Sequence, residues 1–138
     1  MHKKILAITF VLLMFGYLIN AYNQPIFKGY AQRFTVYLGD NSSNARQRTV
    51  ERLGYALSLN KFGESCSVKK EDFDIDEFIN TFSAQPVFSE SLPEGENYYF
   101  YSPSVKYLKT LGDKRVNLQV FIGEDRVVLG SPIIFGGY

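Results

Sequence analysis

Four carboxylates set close together, Asp72, Asp74, Asp76 and Glu77, are the first chemistry this sequence offers. Hard oxygen ligands at such spacing invite calcium. A calcium loop begun at Asp72 needs glycine at its sixth position and glutamate at its twelfth, where this chain has Glu77 and Ser83, so the loop fails. The same residues suit a helix start: Asp74 as N-cap, Glu77 three residues on, and negative charge at the positive end of the helix dipole. A second carboxylate pair, Glu94 and Glu96, flanks Gly95. Such a pair acts as acid and base on a glycan only if burial holds a proton on one of them, and a Pro-Glu-Gly-Glu turn sits in water. No catalytic residue, no cofactor and no metal ligand is expected.

The absences exclude more. The one histidine, His2, lies at the extreme N-terminus, so the rest of the chain has no His base, no Ser/His/Asp triad and no His metal ligand. The one cysteine, Cys66, rules out an intrachain disulfide. A lone thiol can pair with another chain, but packing as a small apolar residue is the preferred reading. Setting aside Lys3 and Lys4 leaves 13 basic against 14 acidic residues, a balance that argues against nucleic acid as a partner.

Two patches could meet a partner. Arg46, Arg48 and Arg52, with Tyr55 nearby, make a basic group able to contact an anionic polymer, although Glu51 interrupts it. Tyr98-Tyr99-Phe100-Tyr101 puts aromatics on both faces of one strand, and the face carrying Tyr99 and Tyr101 suits an interface. Tyr99, Tyr101, Arg46, Arg48 and Arg52 are therefore the candidate partner surface. Asn41-Ser42-Ser43 fits an N-glycosylation acceptor, which matters only in a eukaryotic secretory pathway.

The elements that position these residues follow from periodicity. Phe34, Val36 and Leu38 alternate with polar or aromatic neighbours as a half-buried strand. Gly39 to Asn44 is a break in which Ser43 or Asn44 can cap a helix. That helix is expected over 45–59, with Val50, Leu53, Gly54 and Leu57 on one face. A short strand over 65–70 precedes a second helix with a stripe of Ile75, Phe78, Ile79 and Phe82. From Gln85 the period is 2: strands over 86–91 and 97–102, then 105–111. Val116, Leu118, Val120 and Ile122 form the clearest strand, and 126–135 returns as a strand split by Pro132 and so an outer one. Strand, helix, helix and then a meander predict an α+β fold in two layers. The expected sheet is antiparallel, of about five strands, with two helices on one face. Ile75, Phe78, Ile79 and Phe82 are expected against Val116, Leu118, Val120 and Ile122, with Gln119 on the opposite face.

The whole is preceded by an apolar leader. Lys3 and Lys4 are followed by Ile5 to Ile19, broken only by Thr9, Gly16 and Tyr17. Positive segment, apolar core and small terminal residue describe a secretory signal, with Ile19 and Ala21 beside a cleavage point. An uncleaved membrane anchor over residues 5–22 is the rival. Residues 1–21 are thus signal peptide or anchor, 22–30 a linker, and 31–138 a single extracytoplasmic domain.

Several short segments of the second half resemble a known family. They are Gly63-Glu64-Ser65-Cys66, Val87-Phe88-Ser89-Glu90, Tyr98 to Pro103, Val116-Asn117-Leu118-Gln119-Val120, and the end Gly130-Ser131-Pro132-Ile133-Ile134-Phe135-Gly136-Gly137-Tyr138. Over residues 63–138 the chain resembles the YwmB-like secreted proteins of spore-forming Firmicutes. The resemblance implies a fold similar to the TATA-box-binding protein and an extracytoplasmic address, but no reaction. A second lobe of that fold is expected to be missing from so short a chain. The expected function is a non-enzymatic extracytoplasmic domain binding a protein or cell-envelope component. The alternatives are a His-independent carboxylate hydrolase acting on envelope glycans, and a structural subunit assembling through strand edges.

Overall fold

The computed structural model describes residues 1–39, 46–58 and 60–136. The Asn41-Ser42-Ser43 acceptor and the caps expected at Ser43 or Asn44 lie outside them.

The leader is one helix, α1 (His2–Tyr22), of 21 residues, none of them buried. It is long and apolar enough to cross a membrane, as a signal sequence or a membrane anchor is. The domain that follows is α+β. Its main sheet has seven strands rather than about five: β1 (Arg33–Tyr37), β2 (Gln47–Glu51), β3 (Gly63–Lys69), β4 (Gln85–Leu92), β5 (Gly95–Tyr101), β8 (Leu118–Ile122) and β9 (Arg126–Ser131). A separate hairpin pairs β6 (Lys109–Leu111) with β7 (Lys114–Val116), turning at Gly112 with φ +62°. The order across the main sheet is β2-β1-β3-β9-β8-β5-β4, with all neighbours antiparallel. Two short helices, α2 (Arg52–Leu57) and α3 (Ile75–Phe82), complete the chain.

One face of the sheet holds the main core. Phe34 and Val36 of β1, Cys66 and Val68 of β3, Phe100, Leu118, Val120, Val127 and Leu129 meet Phe78 of α3 and Tyr55 of α2 there. Helix α3 forms where its sequence says it should: the Asp74 carboxylate accepts from the N–H groups of Asp76 and Glu77 at 2.8 and 3.0 Å. Ile75, Ile79 and Phe82 pack at the edge of this core, as does Ile122. The other face is also covered. Past the end of β9 the chain turns at Pro132 and folds back, so that Ile134 and Phe135 are buried. Phe135 stacks on Tyr37 at 4.4 Å between ring centroids, and its N–H donates to the Tyr37 hydroxyl at 3.0 Å.

Four expectations need correction. The helix over 45–59 is instead β2 followed by the six residues of α2. Thr49 and Val50 are β-branched and lose side-chain freedom in a helix, and in register opposite Thr35 and Phe34 they extend the sheet. Leu53 and Leu57 consequently stand 69% and 66% exposed, while Tyr55 and Ala56 are buried. The linker over 22–30 is no linker: Pro25 is buried and Phe27 is completely so. The last strand is interior, between β3 and β8, because Pro132 lies beyond its end. Finally, the strand expected through Val116 and Leu118 is interrupted at Asn117, whose side chain binds the Ser102 main chain through 2.7 and 2.6 Å bonds. Gln119 does face away from the helices, but it is only 2% exposed, donating to Asn97 Oδ1 and accepting from the Ile134 N–H, each at 2.8 Å.

Candidate functional site

Residues 25–31 decide the shape of the site. Phe27 stacks near Phe78 at 6.5 Å and edge-on to Phe82 at 6.0 Å, and Tyr30 lies 5.9–6.3 Å from Phe73, Phe78 and Phe82. Packing of these two rings, Phe27 buried and Tyr30 half-buried, ties the segment to α3. Two polar anchors, one buried and one half-buried, fix it there. The Ile26 N–H donates to both oxygens of Glu64 at 2.9 and 3.0 Å, and the Tyr55 hydroxyl donates to Glu64 Oε1 at 2.5 Å. Asn23 donates to the Ala56 carbonyl at 2.6 Å and accepts from Lys61 Nζ at 2.9 Å. That ammonium also donates to the Tyr55 and Ser58 carbonyls, and so finishes α2.

The consequence is a split in the sheet. β1 pairs with β3 only at Tyr37↔Gly63, Val36↔Glu64 and Thr35↔Ser65. The next partners in register, Phe34 with Cys66 and Arg33 with Ser67, have separated, although β1 stays paired to β2 out to Arg33 and β3 stays paired to β9 out to Lys69. The alternation of an antiparallel ladder shows which groups are left. The Leu38 N–H bonds the Arg46 carbonyl and the Lys70 N–H bonds the Asp125 carbonyl, so even-numbered residues of β1 face β2 and even-numbered residues of β3 face β9. The odd residues, Arg33 on one side and Ser67 and Lys69 on the other, direct their main-chain N–H and C=O groups into the gap. An open cavity of about 790 Å³ includes it, with residues 28–35 on one side and 65–69 on the other, and extends over the sheet face to Gln47 and Thr49 of β2, Val128 of β9, and Ile134 and Phe135. Lys28, Arg33, Lys69, Arg126, Asp72 and Glu77 supply its charge.

The five residues expected to form a partner surface are not brought together. Arg48 lies on β2, where it donates to Ser58 Oγ at 3.0 Å; Arg52 opens α2 and donates to the Lys28 carbonyl at 2.8 Å; Arg46 is exposed just before β2. The tyrosines are on β5, near the opposite edge of the sheet. Tyr99 is 8% exposed, stacks on Phe88 at 4.2 Å and donates to Glu90 Oε2 at 3.2 Å. Tyr101 is half-buried, with the Arg115 guanidinium 5.7 Å from its ring centre. Glu94 and Glu96 are exposed, and Glu96 accepts from Ser91 Oγ at 2.8 Å. Among the described residues no group of three or more His, Cys, Asp or Glu could hold a metal ion.

Cys66 is 5% exposed, and burial pushes its thiol well above the ordinary value, with the nearby Glu64 carboxylate adding to the shift. The thiolate is the reactive form, so Cys66 should resist a neutral aqueous thiol reagent until the domain unfolds. Cys66→Ser should cost about 1 kcal/mol, by burying a hydroxyl. A denaturant titration measures the second effect, and labelling with and without denaturant the first.

No protein-family model, curated protein or solved structure matches this chain. The geometry alone defines the site: an open seam within an antiparallel sheet.

Proposed function

We propose that the chain is a membrane-anchored, extracytoplasmic, non-enzymatic domain that captures an extended segment of a partner protein in the seam between β1 and β3. The observation that carries the reading is the early end of the β1–β3 ladder, with main-chain groups of Arg33, Ser67 and Lys69 turned into a cavity of about 790 Å³. An added strand satisfies such groups, giving affinity through the main chain and specificity through alternate side chains. The outer edges of the sheet are poorer sites for assembly. β4 carries Pro86, a register shift between Pro86 and Phe88, and Glu90; β2 has only five residues and carries Arg48 and Glu51. Proline, bulges, charge and short length all blunt an edge. The hydrolase alternative has Asp72 and Glu77 in the seam, but both side chains are exposed, and an acid that keeps its proton at neutral pH needs burial.

Anchoring rather than cleavage is favoured by the junction. Ala21 lies inside α1, and Asn23, two residues on, is tied to the Ala56 carbonyl, which leaves no extended stretch for a peptidase. Lys3 and Lys4 then hold the N-terminus on the cytoplasmic side. The resemblance to the YwmB-like secreted proteins belongs to the same proposal, since it implies the same address.

Peptides of about twelve residues, selected on the full chain from a random library, test the seam. Ser67→Trp fills it and should weaken their binding at least tenfold, about 1.4 kcal/mol. Glu94→Trp, in the β4–β5 turn, should leave binding unchanged. Equal binding by the two variants would refute the seam as the site.

A further inference from the structure

The end of the domain next to α1 carries a second surface. Outside α1 and its N-cap Met1, the large apolar side chains that stand exposed among the described residues are Leu53 (69%), Leu57 (66%), Phe62 (46%) and Leu108 (46%). They are not scattered. Leu57 lies between Ala56 and Ser58, whose carbonyls Asn23 binds at the end of α1. Leu53 is one turn earlier on the exposed side of α2, the helix that packs against α1. Leu108 follows Tyr107, and Phe62 follows Lys61; Tyr107 and Lys61 line one pocket of about 460 Å³ with Ile19 and Tyr22 of α1. Lys106 completes that pocket, and its ammonium sits 5.0 Å from the Tyr107 ring centre.

The geometry points to a membrane-docking surface: Leu53, Leu57, Phe62 and Leu108, with Lys106 beside them, rest on the outer leaflet of the bilayer that α1 crosses. The occupant is lipid because the surface is continuous with a helix that has no buried residue and whose apolar run suits the hydrocarbon core. A soluble surface has little reason to gather its exposed leucines at one end. Leucine and phenylalanine enter the boundary between headgroups and acyl chains; tyrosine and lysine, here Tyr22 and Lys106, sit at the headgroup level. Asn23 and Lys61 make the junction stiff, so docking also fixes which way the β1–β3 seam faces. The inference rests on the anchored reading of α1.

The sequence has no tryptophan, so single substitutions report cleanly. Phe10→Trp, Leu57→Trp, Leu108→Trp and Glu94→Trp would each be placed in the full chain and reconstituted into vesicles, with acyl chains brominated near the headgroups for positions 57, 108 and 94 and near the chain ends for position 10, which lies close to the middle of α1. Bromine quenches a tryptophan that touches it. Positions 57 and 108 are exposed, so neither substitution disturbs the core, and each backs up the other. Docking predicts that Phe10→Trp, Leu57→Trp and Leu108→Trp lose at least about twice the emission that Glu94→Trp loses, since that turn lies at the far end of the strands. Quenching at 10 but not at 57 or 108 would overturn the docking surface and leave the anchor standing. No quenching at 10 would remove the anchor and the docking surface with it. Shielding of 57 and 108 from aqueous acrylamide without bromine quenching would assign the surface to a second copy or another protein, and would also overturn the inference.

Discussion

Phe78→Ala is expected to lower the stability of the domain by about 3–5 kcal/mol, as the loss of a buried phenylalanine does. Phe78 has no exposed surface and is the centre of an aromatic group, with Phe82, Phe73, Tyr30, Phe100 and Phe27 at centroid distances of 4.9 to 6.5 Å. Its removal leaves a cavity that rings held from α3, the sheet and residues 25–31 cannot all collapse into. Against a total stability of about 5–15 kcal/mol, that is enough to unfold a large part of the population. Asp76→Ala, on the exposed side of the same helix, should cost no more than about 1 kcal/mol, the size of its interaction with the helix dipole. Urea midpoints of the two variants decide it: similar shifts would mean that α3 is not packed on the sheet in this way.

Glu64→Ala is the second large effect. Glu64 is completely buried, and its carboxylate accepts the Ile26 N–H and the Tyr55 hydroxyl. Each buried donor left without an acceptor costs about 1–3 kcal/mol, so the loss should be about 2–6 kcal/mol. The damage should be local as well as global, because residues 23–31 lose the tie that holds them off β3. The pH dependence has a definite sign. Burial raises the Glu64 carboxyl above its ordinary 4.5, outweighing hydrogen bonds that pull it down. The folded state therefore keeps this proton at pH values where the unfolded chain has released it. The contribution of Glu64 is full below about pH 4.5 and is lost as pH rises through the folded value. Glu64→Gln has no such titration, so wild type should lose stability relative to it as pH rises from 4.5. A relative gain over that range would contradict the account.

Much of the architecture was legible because it depends on local pattern. The Asp74 cap and the stripe through Phe78 specify α3, and the alternation around Val120 specifies β8. The turns at Gly95, Gly112 and Gly123–Asp125 also fall where glycine and aspartate place them. The failures share a cause, which is that a remote partner overrode a local preference. Residues 47–51 carry helix periodicity, yet β1 offered them a ladder. Residues 22–30 are short and contain proline and glycine, yet Phe27 and Tyr30 found an aromatic pocket formed by residues about 50 positions away. Gln119 reads as a solvent-facing position, but the returning segment with Ile134 covers it. The candidate site was the least legible part. It is made of main-chain groups that no side-chain motif marks, and it exists because two strands part after three pairs. The signals present in the sequence were indirect: Phe27 and Tyr30 in a segment too apolar for a linker, and Glu64 within an otherwise uncharged strand start.

The most direct measurement is amide hydrogen exchange along β3 in the full chain, held in a lipid nanodisc. With the seam open, Cys66 and Val68, which bond to β9, exchange slowly, whereas Ser67 and Lys69, which face the cavity, exchange fast. A bound extended peptide should then slow Ser67 and Lys69 and leave Cys66 and Val68 as they were. Uniformly slow exchange along β3 in the free chain, or peptide binding that leaves the Ser67 amide fast, would contradict capture by strand addition between β1 and β3.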